Sequence, residues 1–121
     1  MEKKKRLKPL LPTLKEKKRY LAFEIVSKAK IKDFSEVSKA IWAAVLAFVG
    51  TKGAADLGMI MIPEKFDPAT QKGLIRVSHT GLDVLRASFA QVIQIGNEPA
   101  IVRSIGASGI LQKAEDKYVG G

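Results

Sequence analysis

Lysine and arginine crowd the start of this 121-residue chain. Lys3, Lys4, Lys5, Arg6, Lys8, Lys15, Lys17, Lys18 and Arg19 set nine cations against two glutamates in the first 19 residues. The chemistry open to such a run is charge neutralisation rather than bond making. Each cation that meets a phosphate releases a counterion, so binding of this kind falls steeply as salt rises. Pro9 and Pro12 prevent one continuous helix. The like charges repel, so residues 1–18 are expected to form a flexible basic arm that meets a polyanion, or else a solvated tail. The whole chain carries 21 Lys+Arg against 12 Asp+Glu, a formal net charge of +9. That balance suits nucleic acid first and an anionic membrane surface second.

Catalytic side chains are scarce. There is no cysteine, which removes disulfides, thiol catalysis and cysteine-ligated zinc. The one histidine, His79, lies between Ser78 and Thr80. Adjacency along the chain is poor evidence for a nucleophile–base pair, and a surface loop position is expected for it. Asp56, Glu64, Asp67, Asp83 and Glu98 are scattered. No catalytic residue and no metal site are assigned. The segment Thr51–Gly58 has Gly, Thr and Lys but not the spacing of a phosphate loop. The longest apolar run, Ala40–Val49, is ten residues, against about 20 for a membrane span. A basic start with no apolar stretch behind it is not a secretory signal. A cytoplasmic protein with no membrane partner is expected.

These residues need elements to position them. Arg19–Ser27 is rich in aromatic and branched residues and reads as a strand. Leu21, Phe23 and Ile25 share one face, with Tyr20, Ala22, Glu24 and Val26 on the other, and the Glu24 side is expected to be outer. A helix follows, with Ser35 as N-cap and Glu36 in its first turn. Val37, Ala40, Ile41, Ala44, Val45 and Phe48 recur at helical spacing, and Gly50 is expected to stop the helix. Trp42, Ala43 and Ala47 widen its apolar surface, which means deeper burial or a partner. Met59–Pro63 and Gly73–Ser78 read as strands that pair as a hairpin, and Asp67-Pro68 marks a turn. Thr80 and Asp83 resemble a capping box that opens a second helix to about Ile93. Ala100–Ile105 is the last strand, and 111–119 is expected to form a short final helix.

The order β-α-β-β-α-β predicts an α+β, ferredoxin-like or RRM-like sandwich: a four-stranded antiparallel sheet with two main helices on one face. Residues 19–109 form that domain, 1–18 the arm and 110–121 a tail. The fold hosts many functions. Its metal carriers need paired cysteines. Its acyl-phosphate hydrolases need a Gly-rich loop after the first strand, where this chain has Lys28-Ala29-Lys30. RNA-recognition motifs stack bases on aromatics in the third strand. Here Lys72-Gly73 is followed by Leu74, Ile75 and Val77, so base stacking on the sheet is not expected. A regulatory ligand-binding domain that assembles through its sheet edges is the alternative of a different class; a small hydrolase is a third.

The run Leu11–Ile25, LPTLKEKKRYLAFEI, resembles the start of the archaeal ribonuclease P protein component 2 family, whose eukaryotic relatives are the processing-of-precursor proteins. The likeness continues in order through Ala40-Ile41-Trp42, Phe48-Val49-Gly50, Gly53-Ala54-Ala55 and Gly73-Leu74-Ile75-Arg76-Val77. It then takes in Val84, Arg86 and Ala87, and ends with Val102–Gly106 and Ser108-Gly109. It covers nearly the whole chain. The resemblance implies a non-catalytic subunit of the enzyme that removes the 5′ leader from precursor tRNA. The RNA subunit would be the catalyst and would hold the magnesium, with no cofactor on this chain. Implied partners are the ribonuclease P RNA, precursor tRNA through the complex, and protein component 3 in a two-plus-two assembly. On that footing the arm lysines, Arg19, Arg76 and Arg103 are expected at RNA, with an ion pair as the rival role for Arg76. Ile41, Trp42 and Val45 are expected at a protein partner.

Overall fold

The computed structural model describes residues 17–120. Strand β1, Lys18–Ser27, is the middle strand of a five-stranded antiparallel sheet. The remaining strands are β2 (Ile60–Met61), β3 (Lys72–Ser78), β4 (Gln94–Ile95) and β5 (Glu98–Ser108). Their order across the sheet is β2-β3-β1-β5-β4. Helix α1 spans Phe34–Asp56 and α2 spans Leu82–Ser88. A last helix, α3, covers Leu111–Ala114 and continues in a wider π-type turn through Glu115–Val119. This is the expected split β-α-β order, with β4 added as a short edge.

The period-2 alternation of β1 decides the core. Leu21 and Phe23 are fully buried and Ile25 nearly so. They join Val37, Ile41 and Val45 of α1 and Leu85 of α2 in one cluster, so both main helices share one face. Phe23 stacks on Phe66 at 6.3 Å and meets Phe89 edge-on at 6.4 Å. The opposite face is not simply outer. Ala22 and Leu74 are fully buried there beneath Ala114 of α3, with Tyr20, Leu111, Tyr118 and Val119 packed around them. A Cβ on Gly106 would lie 2.5 Å from the Tyr118 ring, so the glycine is what lets α3 sit so close.

Several boundaries differ from the sequence pattern. Gly50 does not end α1. It takes φ 76° and ψ 178°, kinks the chain, and the helix resumes to Asp56. Ser35 is not the cap; Asp33 accepts from both the Ser35 N–H and its hydroxyl. Those two bonds, the hydroxyl first, hold the Asp33 carboxyl below its ordinary pKa. Thr80 caps nothing: it lies in a 3₁₀ turn, His79–Gly81, and α2 is only seven residues long. Gln71 is the one non-glycine residue with positive φ among the described residues, at 61°, a conformation that costs roughly 1–2 kcal/mol. By length and composition α1 could cross a membrane; here Val37, Ile41, Ala44 and Val45 are buried against the sheet.

Candidate nucleic-acid interface

Lys3, Lys4, Lys5, Arg6, Lys8 and Lys15 lie outside the described residues. The remainder of the basic set begins at the entry to β1. Lys17 is exposed, and Lys18 and Arg19 are half-buried. The Lys17 carbonyl accepts from the His79 N–H at 2.9 Å, which joins this end to the 3₁₀ turn after β3. Arg19 donates from Nη1 to the Lys18 carbonyl at 3.0 Å, and the same guanidinium passes over Gly109.

Pairing register places the two strand arginines differently. Arg76 of β3 lies opposite Tyr20 on one side and Ile60 on the other. Among the described residues no carboxylate pairs with it, and its buried Nε has no hydrogen-bond partner. A half-buried, uncompensated guanidinium beside Lys18 and Arg19 is a ready partner for an oxyanion. Arg103 of β5 lies opposite Glu24. It donates from Nε to Glu24 Oε1 at 2.8 Å, and Nη2 faces the same oxygen. The ion pair foreseen as a rival role for Arg76 is formed by Arg103 instead.

The apolar trio on α1 needs correction. Ile41 and Val45 are fully buried in the core, so neither offers a surface to a protein partner. Trp42 is half-buried and packs against that core. The large apolar side chains that α1 does present are Leu46 and Phe48, 44% and 47% exposed. No site role was expected for Lys28, Lys30 and Lys32, all exposed in the loop between β1 and α1. Their signal was the alternation of lysine with Ala29 and the nearly buried Ile31.

His79 is exposed, and the buried Ser78 hydroxyl meets the Thr80 hydroxyl at 3.3 Å rather than the imidazole. Among the described residues no three His, Cys, Asp or Glu side chains come together as a metal site.

These features define an RRM-like α+β domain with one face of its sheet partly roofed and cations at both ends of its central strand. A model of the Rpp14/Pop5 family matches residues 19–119. The chain belongs to the Rpp14/Pop5 family. It is 36% identical to ribonuclease P protein component 2 of Thermococcus gammatolerans over 93% of this chain and 91% of that protein. It is 35% identical to the Pyrococcus horikoshii protein of the same name, over 95% and 93%. The Methanococcus vannielii protein of that name is 36% identical over 93% and 83%. A chain in the cryo-EM structure of yeast ribonuclease MRP has the same fold, with TM-score 0.61 at 16% identity over 78% of this chain and 75% of that one.

Proposed function

We propose that this chain is a protein subunit of ribonuclease P that binds the enzyme's RNA and supports it in removing the 5′ leader from precursor tRNA. The likeness to proteins named ribonuclease P protein component 2, end to end at about a third identity, carries this reading. The chemistry agrees with it. Cations at the β1 entry would hold phosphates, screen repulsion between RNA helices and favour one RNA shape, with no side chain taking part in bond making. Lys17, Lys18, Arg19 and Arg76 would act together there, continuous with the arm that precedes them. Magnesium belongs to the RNA in this scheme, protein component 3 is the protein partner in a two-plus-two assembly, and the setting is cytoplasmic.

Reconstitution tests it. Cognate ribonuclease P RNA, protein component 3, magnesium and precursor tRNA are combined with and without this chain. Cleavage at the mature 5′ end should rise only when the chain is present, and the chain alone should cut nothing. Unchanged cleavage by otherwise active components would overturn the proposal. Deleting residues 1–18 should weaken RNA binding and flatten its salt dependence.

A further inference from the structure

The loop between β1 and α1 is built as an alternation of pinned and outward residues. Ser27 donates from its hydroxyl to the Ala29 carbonyl at 2.7 Å. The Ala29 N–H donates to Glu98 Oε2 at 3.2 Å. Ile31 is held at both backbone groups by one side chain: its N–H donates to Gln71 Oε1, and Gln71 Nε2 donates to its carbonyl, each at 2.8 Å. The same Nε2 reaches the Pro68 carbonyl at 2.9 Å. Residues 27, 29 and 31 are thus fixed, while Lys28, Lys30 and Lys32 stay exposed. Lys30 is also tethered through Nζ to the Ala69 carbonyl.

Gln71 is itself fixed. It is 6% exposed, its N–H donates to the Asp67 carbonyl at 2.7 Å, and its own carbonyl accepts from Ile25 at 2.8 Å. A buried amide in a disfavoured backbone conformation, holding both backbone groups of Ile31 in a loop that presents three lysines to solvent, is an outlier that points to a use. The carboxylates nearby are occupied. Asp33 caps α1, Glu36 faces Lys39 at 3.9 Å, and Glu98 holds Ala29. None of them forms an ion pair with Lys28, Lys30 or Lys32 among the described residues. No aromatic ring is exposed in the loop, so the chemistry on offer is to phosphates and not to bases.

We infer that Lys28, Lys30 and Lys32 form a second, preorganised contact for the phosphate backbone of RNA, with Gln71 as its positioning residue. The site stands at the far end of β1 from Lys17, Arg19 and Arg76. Ten residues of strand separate the two ends, about 30 Å at ~3.3 Å per residue. One chain would therefore hold two separate stretches of a folded RNA. This rests on the RNA-binding role proposed above.

The test uses the full chain and the cognate ribonuclease P RNA, reading binding against salt and backbone protection by hydroxyl-radical footprinting. The wild type should protect two separate stretches. With Lys28→Ala, Lys30→Ala and Lys32→Ala combined, one stretch should lose protection and the other remain. The slope of log affinity against log salt should shrink by about 2–3. The matching Lys→Arg set should keep both stretches and the slope. Gln71→Gly accepts the backbone conformation and removes only the pin; it should keep most of the slope while affinity falls several-fold. If the wild type binds but the triple alanine variant leaves slope and footprint unchanged, the second contact is wrong and the parent proposal survives. If Gln71→Gly binds as the wild type does, the positioning role is wrong. If the wild type protects no RNA, the parent proposal and this inference fall together.

Discussion

The sheet face away from α1 has two halves that the same alternation of residues produces and that end differently. Around Tyr20, Ala22 and Leu74 it is roofed by α3 and has become a second small core. Around Glu24, Val26, Ile101 and Arg103 it is open, with Val26 46% and Ile101 55% exposed. An RRM-like sheet used for base stacking keeps this face bare and aromatic. Here the roofed half has its ring, Tyr20, covered, and the open half has no aromatic and ties its arginine to Glu24. The difference teaches that neither half offers a bare aromatic platform for base stacking. Among the described residues, Arg76 near one end of β1 and Lys28, Lys30 and Lys32 beyond the other have no carboxylate partner.

The sharpest way to break that comparison is a matched truncation. Leu74→Ala, under the roof, should cost about 2–5 kcal/mol because it leaves a cavity, read by urea unfolding. Ile101→Ala on the open half should cost under about 1 kcal/mol, since a half-exposed side chain loses little on removal. Equal losses would mean that the open half is covered too. Gly106→Ala should come next, at about 1–3 kcal/mol, because its methyl meets the Tyr118 ring and α3 must shift. Protease cleavage within 110–120 should rise in that variant and not in Ile101→Ala.

The arginines give a smaller, sharper contrast. Arg76→Ala should leave stability within about 1 kcal/mol of the parent, since no partner is orphaned. It should lower the salt slope of RNA binding by about 0.9. Arg103→Ala should leave that slope alone and lose about 0–1 kcal/mol, as expected of a solvent-exposed pair. Identical slopes for the two variants would erase the distinction. The smallest effect falls on the exposed cap of α1. Because the folded Asp33 carboxyl titrates below its ordinary value, its contribution is present above the unfolded pKa. It fades as pH falls through the folded pKa. Asp33→Ala should lower the melting temperature slightly near neutral pH, and the gap from wild type should close in acid.

Much of the fold was legible because it rests on periodicity. The alternation in Arg19–Ser27 correctly placed Leu21, Phe23 and Ile25 inward, and the order of elements gave the architecture. The second core was not legible. Ala22 and Leu74 look the same whether solvent or α3 covers them, and their packing under Ala114, with Gly106 against Tyr118, reveals which. Gly50 misled for a related reason. A glycine that can end a helix can also bend one, and the apolar residues Ala54 and Leu57 beyond it draw the chain back to the core. Ile41 and Val45 could not be told from partner residues by spacing, since core and interface want the same side chains. Arg76 and Arg103 were indistinguishable until register set Glu24 beside Arg103.

The position of β1 also fixes the order of events during synthesis. Its neighbours are β3 and β5, and Tyr20 pairs with Ser108. The central strand is made first and its partner β5 last, so the sheet closes around contacts nearly the full chain apart. Loops of that length must be closed before the pairing is gained, which slows folding. A nascent chain on the ribosome would carry β1 with one edge bare until Ser108 is free.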